Sequence, residues 1–326
     1  MLPDSRFPLY PPPDLPRTTE RNCFRTKLDL VLDSLYDLER KIDRMSLGIP
    51  REFHWIEYDI QKKELLADAR LDELFPSEQR LFTSLFHLFE IEHGFGLENQ
   101  AVSDRLAGPF SGQSIVFLGP LASGKSTLAN ELAGLYKVKP VPEPLLDNGF
   151  LVGSEDLDKN HPHKPILQSQ MFYLLSSILS NINLRLRNGV SISDTSIFND
   201  ALLWAPFYFE TGYMTNEEYQ TYQKMVALFK PIFAKPDLLV CVVAEDPEQL
   251  FRGKTARGRP FEQGEVFSLE NLARQNEIAD GLADSIGSEF GIPVLKIAVS
   301  PQKLYRDWSY RFSCAEIIRK KLGSSQ

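Results

Sequence analysis

The sequence predicts an α/β fold in which a five-stranded parallel sheet is flanked by helices and centred on a P-loop, with a helical region N-terminal to it. Two observations carry this. Short apolar runs alternate with longer amphipathic stretches from residue 112 onward, the pattern of a parallel sheet covered on both faces. The first run, Ile115–Leu118, leads directly into Gly119, four residues, then Gly124, Lys125 and Ser126. That is G-x-x-x-x-G-K-[ST] in its strand-to-helix setting.

Glycines in this pattern let backbone N–H groups curl inward as a nest for phosphate oxygens, and the helix that follows adds the positive end of its dipole. Lys125 then reaches the outer phosphates, and the Ser126 hydroxyl is a ligand for Mg²⁺. The loop Gly119, Pro120, Leu121, Ala122, Ser123, Gly124, Lys125, Ser126 and Thr127 is thus the predicted nucleotide cradle, and Leu128, Leu132 and Leu135 mark the inner face of the next helix. ATP with Mg²⁺ is the implied ligand pair.

The remaining elements follow in order. Residues 1–18 form a proline-rich tail. Residues 19–110 read as helical, with Leu28, Val31, Leu35, Leu38, Ile42 and Met45 at spacings of three and four up to Gly48 and Pro50. A second helical stretch, Ser77 to Ile91, aligns Leu81, Leu85, Leu88 and Phe89; the aromatic run Phe53–Tyr58 between them fits neither period. This region is either a cap on the following domain or a dimerisation or partner-docking module. His93 to Gly112 reads as a linker.

The domain at 111–326 then gives a second strand at Val138–Pro142, a helix from Ile166 to Arg187, a third strand at Gly189–Ser193 and a helical segment from Asp200 to Lys230. A fourth strand, Leu238–Val243, precedes a helix opened by Asp246 and Pro247; a helix over Leu272–Phe290 and a strand over Ile292–Val299 complete it. Ligands of such sheets sit beyond the carboxyl ends of the strands. Gly119, Glu143 and Asp194 all fall there. Glu143 reads as a general base for an attacking hydroxyl, or as a surface carboxylate in a proline turn. Asp194 reads as a holder of Mg²⁺, or as a helix N-cap. The basic segment Lys254–Glu262 reads as a lid whose arginines, Arg257 and Arg259, offset charge on a transferred group.

Net charge −8 and a pI near 5.3 argue against broad nucleic-acid binding. Cys23, Cys241 and Cys314 are scattered, which suits reduced thiols and a cytoplasmic setting. No apolar run reaches membrane-spanning length, and no membrane association is predicted. His161 and His163 flank a proline in a polar stretch and read as solvent-exposed; His54, His87 and His93 show no pairing pattern. Trp204, Phe207 and Phe209 are candidates for an acceptor pocket or for core packing.

Taken together, the P-loop, Val141–Pro144 continuing to Leu151, Gln170 in an aromatic helix, Ser193–Asp200, Gly212–Thr215 and the Arg257–Gly258–Arg259 lid resemble the deoxynucleoside kinase family, the bacterial deoxyadenosine/deoxyguanosine kinases most closely. The resemblance covers residue 112 to the C-terminus. It implies an ATP- and Mg²⁺-dependent transfer to the 5′-hydroxyl of a (deoxy)nucleoside on a P-loop kinase fold. By the same resemblance Glu143 is the base, Asp194 assists at Mg²⁺, Gln170 and Asp200 read the nucleobase, Arg257 and Arg259 contact phosphates, and Glu262 approaches the sugar 3′-hydroxyl. The family is commonly homodimeric. Thr195, Ser177 and Gly253 stand where the family carries arginine, although Arg252 adjoins the last, and no tyrosine lies between Asn148 and Phe172 to hold the sugar. These departures keep two alternatives open: a nucleotide-binding pseudokinase or regulatory subunit, and a kinase for a nucleotide or other small-molecule acceptor.

Overall fold

The computed structural model describes residues 18–45, 51–74, 76–95, 99–102, 112–143, 150, 165–259, 262 and 264–323. The proline-rich tail, Gly48–Pro50, most of the linker, Asp147, Asn148 and the His161/His163 pair lie outside the described residues.

Strands β1 (Gly112–Leu118), β2 (Gly189–Ser193), β3 (Leu238–Ala244) and β4 (Val294–Val299) form a parallel sheet in the order β2-β1-β3-β4. Side chains alternate faces along a strand. Ile115 and Phe117 of β1, with Leu238, Val240 and Val242 of β3, therefore pack on one side with Leu128 and Leu132 of α4 (Lys125–Tyr136) and Ile318 of α11 (Trp308–Gly323). Val116, Leu118, Leu239 and Cys241 point the other way, to Leu174 and Ile178 of α5 (Ile166–Arg185) and Ala279 of α9 (Leu269–Phe290). Asp237 ties this sheet to α5: it accepts from Ser114 N–H at 2.7 Å and lies 3.2 Å from Arg185.

Among the described residues the sheet has four strands, not the five predicted. Val141 makes a single parallel bridge to Ser193, donating its N–H to Ile192 and accepting from Asp194 N–H. Pro140 and Pro142 flank it, and neither has an N–H to extend the ladder. The strand predicted at Val138–Pro142 thus shrinks to one residue paired with the end of β2. That bridge still delivers Glu143 to the carboxyl edge of the sheet.

Two further expectations change. The aromatic run Phe53–Tyr58 belongs to a continuous helix, α2 (Arg51–Ala69), between α1 (Thr18–Met45) and α3 (Pro76–His93). The segment predicted as helical from Asp200 to Lys230 is helical in three pieces, a π-helical turn, Asn199–Trp204, then α6 (Ala205–Glu210) and α7 (Asn216–Phe229). Gly212 (φ 77°) turns the chain between them, and Thr215 with Glu218 forms a capping box that starts α7. No helix among the described residues is long and apolar enough to cross a membrane.

The N-terminal helices share a core with the P-loop region. Phe24, Leu28, Val31 and Leu35 of α1 and Leu81, Phe82, Leu85 and Phe89 of α3 are buried in the same cluster as α5 and α7. Phe24 meets Phe82 edge-on at 5.5 Å. Polar links fix the registry: Tyr36 donates to the Lys224 carbonyl at 2.7 Å, and buried Gln168 donates to buried Glu78 at 3.1 Å. Phe82→Ala should therefore destabilise the fold by about 3–5 kcal/mol. An equilibrium denaturation midpoint unchanged by that substitution would mean α3 is not part of the cooperative core.

Candidate active site

The P-loop is shaped by steric necessity at its two glycines. A Cβ on Gly119 would sit 2.2 Å from the Val242 carbonyl oxygen, and one on Gly124 (φ 95°) 2.7 Å from Leu304. The loop is braced from behind. Asn199, on the π-helical turn, accepts from Gly119 N–H at 3.1 Å, and Gln275 of α9 accepts from Leu121 N–H at 3.2 Å. Such local helix distortions are frequent at functional sites. Lys125 donates to the carbonyls of Gly119 and Pro120, both at 2.8 Å, so its ammonium lies folded over the cradle.

A cavity of about 860 Å³ opens beside this loop. Its wall brings together Leu121 through Thr127, Glu143, Gln170, Asp194, Arg257, Arg259 and Glu262, residues widely separated in sequence. Gly119 and Pro120 lie behind it, their carbonyls held by Lys125.

The electrostatics of the cavity are set by burial against charge. Burial pushes the Glu143 carboxyl up; Lys125 opposes this, Asp194 reinforces it and the two arginines oppose it, leaving a value of about 7. Burial likewise draws the Lys125 ammonium down to about 8, against the pull of Glu143 and Asp194. A carboxylate that titrates near neutrality opposite a cation is the arrangement expected of a proton acceptor.

Asp194 is not a helix N-cap. Ser196 takes that task, its hydroxyl accepting from Asn199 N–H at 3.2 Å. The Asp194 Oδ1 atom is buried at the cavity wall with no hydrogen-bond partner. Gln170 is 2% exposed, and its Oε1 is also unpartnered. Both atoms belong to cavity-wall residues and lack a protein donor, a costly state unless a ligand supplies one.

Asp200 is placed elsewhere. It sits behind the wall, 1% exposed, and accepts from the Ser177 hydroxyl. Burial raises its carboxyl well above the usual carboxylate range, against the hydrogen bond from Ser177.

The lid arginines are not on a free loop. Arg257 ends α8 (Glu248–Arg257), Gly258 closes that helix at φ 62°, and Arg259 follows. Glu262, fully buried, holds both, at 3.0 Å from Arg257 and 3.2 Å from Arg259. Arg252, four residues after the start of α8, also lines the cavity, next to Gly253.

Other wall residues went unread in the sequence. Tyr173 lies one residue past the Asn148–Phe172 interval and lines the cavity with Tyr208 and with Trp204, the one of the three aromatic pocket candidates that does so. Its place three residues after Gln170 on a helix is the signal that would have found it. Phe207 is core, and Phe209 stacks on Tyr219 at 4.4 Å instead of entering the cavity.

The sequence profile of deoxynucleoside kinases matches residues 115–319. The chain belongs to the deoxynucleoside kinase family. Among its relatives is a deoxyguanosine kinase of Lactobacillus acidophilus, 32% identical over 154 residues that cover 46% of this chain and 64% of that one. A deoxyadenosine kinase of Dictyostelium discoideum is 27% identical over 161 residues, 49% of this chain and 62% of its own. The matched region thus spans a little under two thirds of each of these kinases. In fold, the chain is similar to a deoxyadenosine kinase from M. mycoides solved with bound dCTP, with a TM-score of 0.51 and 16% identity, over 65% of this chain and 100% of that one. The deoxynucleoside kinase match begins inside β1 and leaves α1, α2 and α3 outside it.

Proposed function

We propose that this protein transfers the terminal phosphoryl group of ATP to the 5′-hydroxyl of a (deoxy)nucleoside. The observation that carries this reading is the pairing of Glu143, titrating near 7, with Lys125 across one cavity rimmed by the P-loop. The P-loop amides and Lys125 bind the triphosphate, and Lys125 exchanges its two loop carbonyls for phosphate oxygens. Gln170, with its unpartnered amide oxygen, reads the amino edge of a nucleobase, while Tyr173, Trp204 and Tyr208 supply faces for packing. Glu143 takes the proton of the attacking hydroxyl as the new O–P bond forms and the β–γ bridge breaks. Arg257 and Arg259, held by Glu262, offset charge on the moving group. The residues present fit a Mg²⁺ ion: the Ser126 hydroxyl and the donorless Asp194 carboxylate share the cavity wall, and the ion would neutralise phosphate charge there.

Arg252 in the cavity wall favours catalysis over a purely nucleotide-binding role. It stands one position before Gly253, where the family carries arginine, and pairs with Glu248 at 2.7 Å.

The direct test is a panel of ribo- and deoxynucleosides incubated with labelled ATP and Mg²⁺, scored for 5′-monophosphate. Turnover of at least one purine deoxynucleoside is expected. Product from a nucleoside monophosphate but from no nucleoside would move the acceptor class, and ATP binding with no product at all would leave only the pseudokinase reading.

A further inference from the structure

The N-terminal helices carry a second gathering of ionisable groups, away from the cavity. Glu39 of α1 meets Glu92 and His93 in the last turn of α3, and one donor atom from each lies within 4.8 Å of the others. Cation–donor bonds of about 2.0–2.2 Å put the donors of a tetrahedral ion about 3.3–3.6 Å apart, so side-chain rotations of roughly 1 Å close this set. Adjacent residues Glu92 and His93 offered no such grouping in the sequence, because their partner is more than fifty positions away.

Three features of the surroundings suit a cation. Helix α3 ends where Gly94 turns to φ 65° and Phe95 N–H donates to the Glu90 carbonyl at 2.8 Å. The negative end of the helix dipole therefore lies beside two carboxylates. The His93 ring packs on Phe89 at 4.4 Å and Phe95 at 5.6 Å, contacts that limit its rotation. The Glu92 Oε2 atom is sealed from solvent and accepts no hydrogen bond.

We propose that Glu39, Glu92 and His93 bind a divalent transition-metal cation, of which zinc is the representative, and that this ion fastens α1 to α3. One imidazole nitrogen with two carboxylates is a donor set for zinc or its neighbours, whereas Mg²⁺ favours oxygen ligands and water. None of the three residues lines the catalytic cavity, so the role is structural. Tyr36, one turn before Glu39, is the residue that bonds the Lys224 carbonyl on α7. The ion would therefore tighten the N-terminal layer next to its junction with the catalytic region.

Full-length protein, stripped with chelator and free of nucleotide, should bind one equivalent of Zn²⁺ in calorimetry and melt at a higher temperature with zinc present. Glu92→Gln and His93→Ala should each weaken that binding by at least about tenfold and abolish the thermal shift. Glu39→Gln reports the same loss from the other helix and retains side-chain shape, should an α3 variant fail to fold. Cys23→Ser should bind zinc as the parent does. Absence of zinc binding by the parent chain, or binding of unchanged affinity in Glu39→Gln and His93→Ala, would overturn the proposal.

Discussion

Glu143→Gln is expected to slow phosphoryl transfer by about 10²–10⁴-fold while ATP still binds. The amide keeps the shape of the carboxylate and cannot accept the hydroxyl proton. The parent enzyme should also show an acidic limb. A base works only when deprotonated, so kcat/KM should fall as pH drops through about 7, the value that burial and its neighbours set for Glu143. Steady-state rates across pH for parent and variant, with nucleotide affinity measured separately, check both parts. Glu143→Gln retaining the parental rate and the parental acidic limb would remove this residue from the chemistry.

Arg257→Ala is the second large effect, a loss of about 10²–10³-fold in kcat with a smaller change in nucleotide affinity. Its guanidinium sits at the C-terminal turn of α8, 3.0 Å from Glu262, and Glu262 is fully buried. The carboxylate thus sets where the cation points before any substrate arrives. Arg257→Lys should recover little, because an ammonium lacks the planar fork that spans two phosphate oxygens. Single-turnover rates separate this from a binding defect. If kcat survives Arg257→Ala, charge stabilisation belongs to Arg252 or Arg259 instead.

Much of this site was legible because its parts are contiguous or lie at strand ends. The P-loop is a local pattern whose conformation follows from its own glycines. The strands at Ile115, Leu238 and Val294 announce themselves as apolar runs and that at Gly189 by Val190 and Ile192 alternating with serines, and topology carries their carboxyl ends, with Glu143 and Asp194, to one edge. What could not be read depends on depth and on tertiary neighbours. Prolines on both sides of Val141 reduce a strand to a bridge, an effect visible only once its partner is known. Asp200 and Gln170 look equivalent in sequence, yet one is sealed behind the cavity wall and the other faces it. The α2 helix was missed because its aromatic residues cluster without a helical period. Pairing of His93 with Glu39 needs two helices to pack before it exists.

The shared core of the N-terminal helices and the P-loop region bears on how this protein can be produced and dissected. An expression clone trimmed to the family-matched segment would begin near β1 and strip away α1, α2 and α3, whose Phe24, Leu28, Phe82 and Phe89 share one buried cluster with residues of α5 and α7. At roughly 25 cal/mol per Å², several hundred Å² of newly wetted hydrocarbon amounts to about 10 kcal/mol, comparable to the whole stability of a domain. Such a truncated product should precipitate, or recruit another molecule to shield that flank, and low activity measured on it would report poor solubility more than weak chemistry.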